Sequence, residues 1–189
     1  MTYRTLTLTE TVFPARSLAR EAALIGGAVA LTAAAARVVI PLPFAPVPIT
    51  GQTFAVLLSG AALGSWRGLA AMLLYLVLGG MGLPIFSRGT AGLSAGAGGY
   101  LVGFVGAAWL VGRLCERGWD RRPLSCALAM AAGSAVLYAC ALPWLVVFLG
   151  MSSLHAVAVG LLPFLPGDAL KIALAAGLLP GAWRVLSRL

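Results

Sequence analysis

Long stretches without a charged side chain restrict the fold of this sequence more than any other feature. No Asp, Glu, Lys or Arg occurs in residues 38–66, 68–87, 89–112 or 123–167. A helix that spans a bilayer needs about 20 mostly apolar residues, and each of these stretches can supply at least one. Their repetition along the chain excludes a single membrane anchor attached to a soluble domain.

The low overall charge supports the same class of protein. The chain has 189 residues, of which 61% are apolar and 10% are charged, whereas soluble domains carry about 25% charged residues. This is too little charge to cover a soluble fold, so the sequence predicts an all-α, polytopic membrane protein. The positive-inside rule accounts for the formal net charge of +8, and we expect no nucleic-acid partner.

We predict a single transmembrane domain over residues 1–189, which begins with a cytoplasmic segment at residues 1–21. It contains six helices, some of them short, at residues 22–40, 52–63, 69–78, 100–114, 124–149 and 168–184. The first apolar run also resembles a secretory signal, because Arg16 and Arg20 precede it. This run is long enough to cross a bilayer, so we expect it to be retained.

Two interruptions set the predicted boundaries. Arg67 divides the apolar run of residues 51–80, and one helix across that run would place its guanidinium near the bilayer centre. That placement costs about 2.5–3.5 kcal/mol. A hairpin with its turn at residues 65–68 keeps Arg67 at the interface instead. Pro163 and Pro166 interrupt the apolar segment before the last helix, which we predict to be interfacial or re-entrant.

The distribution of basic residues predicts the orientation. One side of the predicted helices carries ten of them, Arg4, Arg16, Arg20, Arg67, Arg113, Arg117, Arg121, Arg122, Arg184 and Arg188. The other side has only Arg37 and Arg88, and Lys171 lies within the last span. Because cytoplasmic loops carry an excess of Lys and Arg, both termini are predicted to be cytoplasmic.

Two irregular segments are predicted on the outer side. The Pro-rich segment, residues 41–48, cannot form a regular helix, and the Gly-rich segment, residues 79–99, has eight glycines in 21 residues. A span of about 11 residues rises only about 16 Å, roughly half of the hydrocarbon thickness. The two segments must therefore dip into the membrane, where irregular backbone survives only against protein or a polar cavity. This predicts a cavity near the outer face.

Asp168 and Lys171 are the strongest candidates for a binding site. They are three positions apart, on one face of a helix, and Arg184 at the inner boundary places them toward the outer end. Asp168 follows Pro-Gly, so it also fits a helix N-cap, and Lys171 also fits a pairing or snorkelling role. Because ionisable groups inside a membrane usually mark function, we predict that both face the cavity.

The sequence is poor in catalytic groups. His155 is the only histidine and is predicted to be structural, and the three cysteines form no C-x-x-C pair. No P-loop, G-x-S-x-G motif or paired carboxylates occur. We therefore expect no enzymatic activity, no catalytic residues, no metal site and no cofactor.

Four motifs occur in chain order: Pro46-Val-Pro-Ile-Thr50 with Gln52, Gly79-Gly-Met-Gly-Leu-Pro84, Gly98-Gly-Tyr100, and Pro163-Phe-Leu-Pro-Gly-Asp168 with Lys171. They resemble the motifs of the BioY family, the biotin-specific S-components (substrate-binding components) of energy-coupling-factor transporters. Together they cover nearly the whole chain. The family fold has six helices with both termini inside, which agrees with the topology predicted from the residues.

The resemblance also implies site residues. The Asp and Lys of the last family motif contact biotin, which corresponds to Asp168 and Lys171, and we expect Gln52 and Tyr100 to contribute from the other motifs. A Gly-Gly-Asn-Gly-Gly-like stretch supplies a polar contact before the fourth helix, and Thr90 falls at its Asn position. This chain departs from the family just before Gly-Gly-Tyr, where Gly-Pro-Ser/Thr is typical, and its loop is shorter.

The implied function is high-affinity biotin binding for uptake, in the lipid of a bacterial cytoplasmic (inner) membrane. The implied partners are a transmembrane coupling protein and two ATP-binding subunits. The pairs Ala22/Gly26 and Ala30/Ala34 suit close docking of the first helix, although packing within the membrane explains them almost as well. The alternatives are an S-component for a different vitamin or small molecule and an independent pore or enzyme.

Overall fold

The computed structural model of the protein describes residues 5–14, 17–94 and 96–187. The helices are α1 (Leu8–Val12), α2 (Leu18–Ala35), α3 (Gln52–Leu63), α4 (Ser65–Gly80), α5 (Gly98–Cys115), α6 (Pro123–Leu149), α7 (Ser153–Gly160) and α8 (Leu165–Leu186). Two short strands, β1 (Val39–Ile40) and β2 (Ile49–Thr50), lie between α2 and α3. Arg4, Arg16 and Arg188, which enter the orientation argument, lie outside the described residues.

Several helices of the described part of the chain can cross a membrane. Four segments are long and apolar enough by length and composition, namely Leu18–Ala35, Gly98–Cys115, Pro123–Leu149 and Ser153–Leu186. α3 and α4 are also apolar but shorter. The protein is therefore mostly helical and has the character of a multi-pass membrane protein, whereas the count of six spans and the side of each terminus stay predictions.

The first predicted helix is too long at its carboxyl end. α2 ends at Ala35, and Val39 and Ile40, which we expected within the span, form β1 instead. β1 pairs with β2 in an antiparallel ladder in which Val39 lies opposite Thr50. β-branched side chains disfavour a helix slightly, and Pro41 disfavours the helical conformation of the residue before it. The Pro-rich segment is thus the loop of a hairpin, which the all-α prediction misses.

The turn between α3 and α4 is shorter than predicted. Gly64 alone separates the two helices, in a left-handed conformation with φ of +87° that glycine adopts without strain. Residues 65–68 consequently belong to α4 rather than to the turn. Arg67, in the first turn of α4, forms ion pairs of 3.1 Å with Glu10 and 2.6 Å with Glu21.

α5 is the central helix, and it packs against α3, α4 and α6. Small residues allow its backbone to approach these neighbours closely. A Cβ atom added to Gly60 of α3 would lie 2.5 Å from the Ala108 carbonyl oxygen of α5. One added to Gly103 would lie 2.9 Å from the Leu137 carbonyl oxygen of α6, and Gly99 is equally close to α6. Gly99 and Gly103 therefore allow the close packing of α5 against α6.

Residues 151–166 are more regular than predicted. They contain α7 and a 3-10 turn at Leu162–Phe164, which leads directly into α8. α8 begins at Leu165, three residues before the predicted start at Asp168. Pro166 lies in the first turn of α8, where its missing amide donor costs nothing, so it starts the helix rather than interrupting it. An interfacial position for α7 stays a prediction.

The helices give the molecule two ends. α3, α5 and α8 begin near one another, because residues from the first two turns of all three line one cavity, and we call this the cavity end. At the opposite end, the Trp183 indole near the end of α8 donates a 2.5 Å hydrogen bond to Asp120 in the α5–α6 turn. A Cβ atom on Gly112, near the end of α5, would lie 2.5 Å from the Gly64 carbonyl carbon, so the α3–α4 turn is also at this end.

Candidate functional site

A cavity lies at the cavity end, among α3, α5, α6 and α8 and beneath the loops that connect them. It holds about 500 Å³ of space free of protein atoms, including its mouth. Apolar side chains form much of the wall, including Leu101, Phe104, Leu137 and Phe164.

A cluster of polar side chains joins three helices beside this cavity. The Asp168 carboxylate of α8 accepts a hydrogen bond from the Tyr138 hydroxyl of α6, and its other oxygen lies 3.3 Å from Lys171 Nζ. Lys171 Nζ also donates to the Thr53 hydroxyl of α3 at 2.6 Å. Asp168 is only 7% exposed, and Lys171 lines the cavity. The two side chains are therefore in contact beside the cavity, with Lys171 on its wall, and a ligand contact from either residue stays a prediction.

The N-cap alternative for Asp168 is not supported. α8 begins at Leu165 with Phe164 as its N-cap, so Asp168 lies inside the first turn. Its side chain bonds to Tyr138 and Lys171 instead of to the first amides of its own helix. A carboxylate in this turn still interacts favourably with the helix dipole. The alternative in which Lys171 pairs with Asp168 is retained, because that contact is present.

Gln52 and Tyr100 line the cavity, but their polar groups already have protein partners. Gln52 Nε2 donates to the Tyr75 hydroxyl at 2.7 Å, and its Oε1 accepts from the Thr50 hydroxyl at 3.1 Å. The Tyr100 hydroxyl donates to the Gly160 carbonyl at 2.6 Å. In this structure the two side chains hold β2, α4 and α7 around the cavity.

The structure does not bring Thr90 to the cavity. Its side chain is exposed, and its hydroxyl donates to the Ser87 carbonyl at 2.9 Å. Between them, Arg88 and Gly89 have left-handed backbone conformations with φ of 57° and 75°, which form a tight turn. Ser87 lines the cavity instead, so a ligand contact from Thr90 finds no support in this geometry.

Sequence reasoning misses Thr53, Tyr138 and Phe164. Tyr138 is the only tyrosine in a long apolar helix, and a buried hydroxyl in a membrane requires a partner, so this signal was available. Thr53 directly follows the predicted Gln52, but nothing in the sequence indicates a contact with α8. Phe164 in an apolar segment gives no signal, because aromatic residues there usually serve packing.

The arrangement is suited to binding. One carboxylate acceptor and one cationic donor lie beside apolar walls, which fits a small ligand that carries both N–H and C=O groups. Within residues 5–14, 17–94 and 96–187, no group of three His, Cys, Asp or Glu side chains could hold a metal ion.

Comparison with known proteins decides the family. The family model described as "BioY family" matches residues 5–188 of the chain. The chain belongs to the BioY family. Among relatives in this family, the "Biotin transporter BioY" of Rhizobium etli is 38% identical over 147 residues, covering 72% of this chain and 78% of the relative. That of Rhodobacter capsulatus is 39% identical over 168 residues, covering 81% and 87%.

A solved structure has the same fold as this BioY family member. It is described as "the S-component for biotin from an ECF-type ABC transporter", and it matches with a TM-score of 0.76. The match covers 90% of this chain and 95% of the solved one at 20% identity. At this identity the likeness supports the fold alone. Together with the family match, it confirms the resemblance drawn from the four motifs.

Proposed function

We propose that this BioY family member is the membrane-embedded, biotin-binding subunit of a biotin uptake system. The observation that carries the proposal is the Asp168–Lys171 pair beside an apolar cavity, in a chain whose relatives are named biotin transporters. Asp168 and Lys171 are the proposed ligand contacts, and Gln52 and Tyr100 belong to the wall of the same site.

The chemistry of biotin fits this cavity. Its ureido ring has two N–H donors beside a carbonyl acceptor, and its valerate tail ends in a carboxylate. Asp168 would accept from the N–H edge, and Lys171 would donate to the carbonyl or to the tail. Leu101, Phe104 and Leu137 provide apolar contacts for the thiophane ring and the alkyl chain. Asp168 accepts one donor at each carboxylate oxygen, from Tyr138 and Lys171, so each oxygen has a further lone pair for an N–H group of the ligand.

The proposed assembly includes an energising module. The chain has no P-loop, so a transmembrane coupling protein and two ATP-binding subunits would supply ATP hydrolysis. We propose six spans in the bacterial inner membrane with both termini in the cytoplasm. Arg67, Arg113 and Arg121 support this orientation, because they lie at the end opposite the cavity and basic residues favour the cytoplasmic side.

Equilibrium binding to the purified protein tests the proposal. Radiolabelled biotin and a panel of other radiolabelled vitamins, such as thiamine and riboflavin, are offered at the same concentrations. We expect saturable binding of biotin and no saturable binding of the others. Saturable binding of another vitamin, with none of biotin, would contradict the proposal in favour of an S-component with a different substrate.

Reconstitution separates this function from an independent pore. We expect proteoliposomes that contain only this chain to bind biotin without accumulating it. Accumulation should require the coupling protein, the two ATP-binding subunits and ATP.

A further inference from the structure

A second groove lies at the opposite end of the molecule, between α4 and α5. Ser65 and Trp66 from the first turn of α4, and Trp109 and Arg113 from the last two turns of α5, line it. It holds about 370 Å³ of space, including its open side. None of these residues lines the proposed biotin cavity.

This groove presents hydrogen-bond donors that have no acceptor among the described residues. Trp66 is 70% exposed and Trp109 is 39% exposed, and neither indole N–H has an acceptor among the described residues. The Arg113 side chain is 45% exposed. Within the described part of the chain its one partner is Glu116, which lies 3.2 Å from Nη1, so Nε and Nη2 stay unpaired. Indole and guanidinium groups only donate, so a ligand here must supply acceptors.

Glu116 does not cancel the positive charge of the groove. Its side chain is 2% exposed, and its Oε1 accepts hydrogen bonds of 2.9 Å from both the amide and the hydroxyl of Ser65. Ser65 is the first residue of α4, so this carboxylate also faces the positive end of the α4 dipole. The negative charge of Glu116 therefore interacts with the amino terminus of α4 as well as with Arg113, and it neutralises the Arg113 charge only in part.

An exposed apolar stripe leads from the groove along each helix. On α4, Leu73 and Val77 follow Trp66 at seven and eleven positions, which places them on one helix face. On α5, Val102 is exposed seven positions before Trp109, on the face that continues to Arg113. A ligand with an anionic head and hydrocarbon chains matches this order of donors followed by apolar side chains.

We propose that the groove between α4 and α5 binds the phosphate head group of an anionic phospholipid. The phosphate oxygens accept from Arg113 and the two indoles, and the acyl chains lie along the two apolar stripes. Tryptophan indoles favour the membrane interface, and basic pockets between transmembrane helices bind anionic lipid head groups. This site is separate from the biotin cavity and does not depend on the proposed function.

Native mass spectrometry of the purified protein tests this site with phosphatidylglycerol and phosphatidylcholine at equal concentrations. We expect the wild type to bind phosphatidylglycerol roughly tenfold more tightly, because its net charge strengthens the bond to Arg113. Arg113→Gln and the double variant Trp66→Leu, Trp109→Leu should each weaken that binding roughly tenfold. Arg117→Gln is the matched control, since it removes the same charge from an exposed residue outside the groove lining.

Each variant has a distinct use. Arg113→Gln also removes a partner of Glu116, and this variant could fail to fold for that reason. In that case the tryptophan double variant decides the outcome, because it removes no hydrogen bond within the described residues. Equal affinity for the two lipids, or an equal loss in Arg117→Gln, overturns the proposal. The proposal is also overturned if inorganic phosphate alone raises the melting temperature as much as phosphatidylglycerol does. Failure of the wild type to bind either lipid overturns it in favour of a protein partner for this face.

Discussion

At the residue scale, Asp168 is held by donors from two helices. Tyr138 of α6 and Lys171 of α8 both contact its carboxylate, and Lys171 also donates to Thr53 of α3. These contacts satisfy a charge that would be costly to bury alone. They also fix the carboxylate and the ammonium beside the cavity, in position for the proposed hydrogen bonds to the ligand.

Lys171 can be tested against a purely structural role. If the pair only balances charge, replacing both members with apolar residues would preserve stability and ligand binding. We expect Lys171→Met to weaken biotin binding, and Asp168→Leu with Lys171→Met to abolish it. A ligand that binds only the folded state raises the melting temperature, so the rise seen with biotin in the wild type should vanish in the double variant. A full rise in that variant would assign the pair to structure alone.

Asp120, at the opposite end, is expected to make stability depend on pH. It is buried, and one of its carboxylate oxygens has no partner among the described residues. Burial raises the pKa of Asp120 above its usual value, although the hydrogen bond from Trp183 offsets part of the rise. A carboxyl group with a raised pKa in the folded state stabilises the protein below its unfolded pKa, about 3.9. This stabilisation is lost as the pH rises through the folded-state pKa.

We therefore expect the melting temperature of the wild type, relative to that of Asp120→Asn, to fall as the pH is raised from about 4 toward neutrality. Calorimetric scans of both proteins at several pH values measure this difference. Because Asn does not titrate, the comparison cancels the pH dependence of the other groups. A difference that stays constant with pH would show that burial of Asp120 is not linked to folding.

At the scale of the elements, the contact between α3 and α5 depends on the absence of a side chain at Gly60. A Cβ atom there would lie 2.5 Å from the Ala108 carbonyl oxygen and 2.9 Å from its Cα, and these backbone atoms cannot rotate away. We expect Gly60→Ala to lower stability by about 1–3 kcal/mol, measured as a lower melting temperature. Gly177→Ala in α8 is the control, because a Cβ atom there meets nothing within 4 Å. Equal melting temperatures of the two variants would show that α3 and α5 can move apart to accommodate the added methyl group without a loss of stability.

Helix positions could be predicted where the sequence itself marks the ends. The spans predicted at residues 100–114 and 124–149 lie within two residues of α5 and α6, since one charged turn separates the two apolar runs. Two other boundaries depend on tertiary structure. The end of α2 follows from pairing with β2, which lies beyond the Pro-rich segment, and the α3–α4 turn relies on the positive φ of Gly64.

Only the part of the candidate site that lies within one helix could be predicted from the sequence. Asp168 and Lys171 share a helix face, so their spacing alone places them together. Thr53 and Tyr138 reach the pair from helices that are distant in sequence, and no local pattern indicates such contacts. Thr90 was assigned by position in a motif, but the tight turn before it places Ser87 at the cavity instead.

At the scale of the whole molecule, the cavity lies at one end and the described residues Arg67, Arg113 and Arg121 lie at the other, which predicts the orientation in the membrane. Cysteines introduced as Arg121→Cys and Ser187→Cys should react with an impermeant maleimide only from the cytoplasmic side. Arg88→Cys should react from outside. Cys140 is replaced by alanine in all variants, because it is partly exposed whereas Cys115 and Cys126 are buried. Labelling of the Ser187→Cys variant from outside would overturn the six-span orientation.

The central claim for the whole molecule is that it binds biotin through the Asp168 carboxylate, and calorimetry of Asp168→Asn tests it most directly. Asparagine keeps the shape but loses the charge, and its NH₂ group would face the N–H donors of the ligand. Loss of a charge-assisted hydrogen bond costs about 1.5–3 kcal/mol, so biotin should bind at least roughly tenfold more weakly than to the wild type. Wild-type affinity in a folded Asp168→Asn protein would contradict the claim and remove Asp168 from the site.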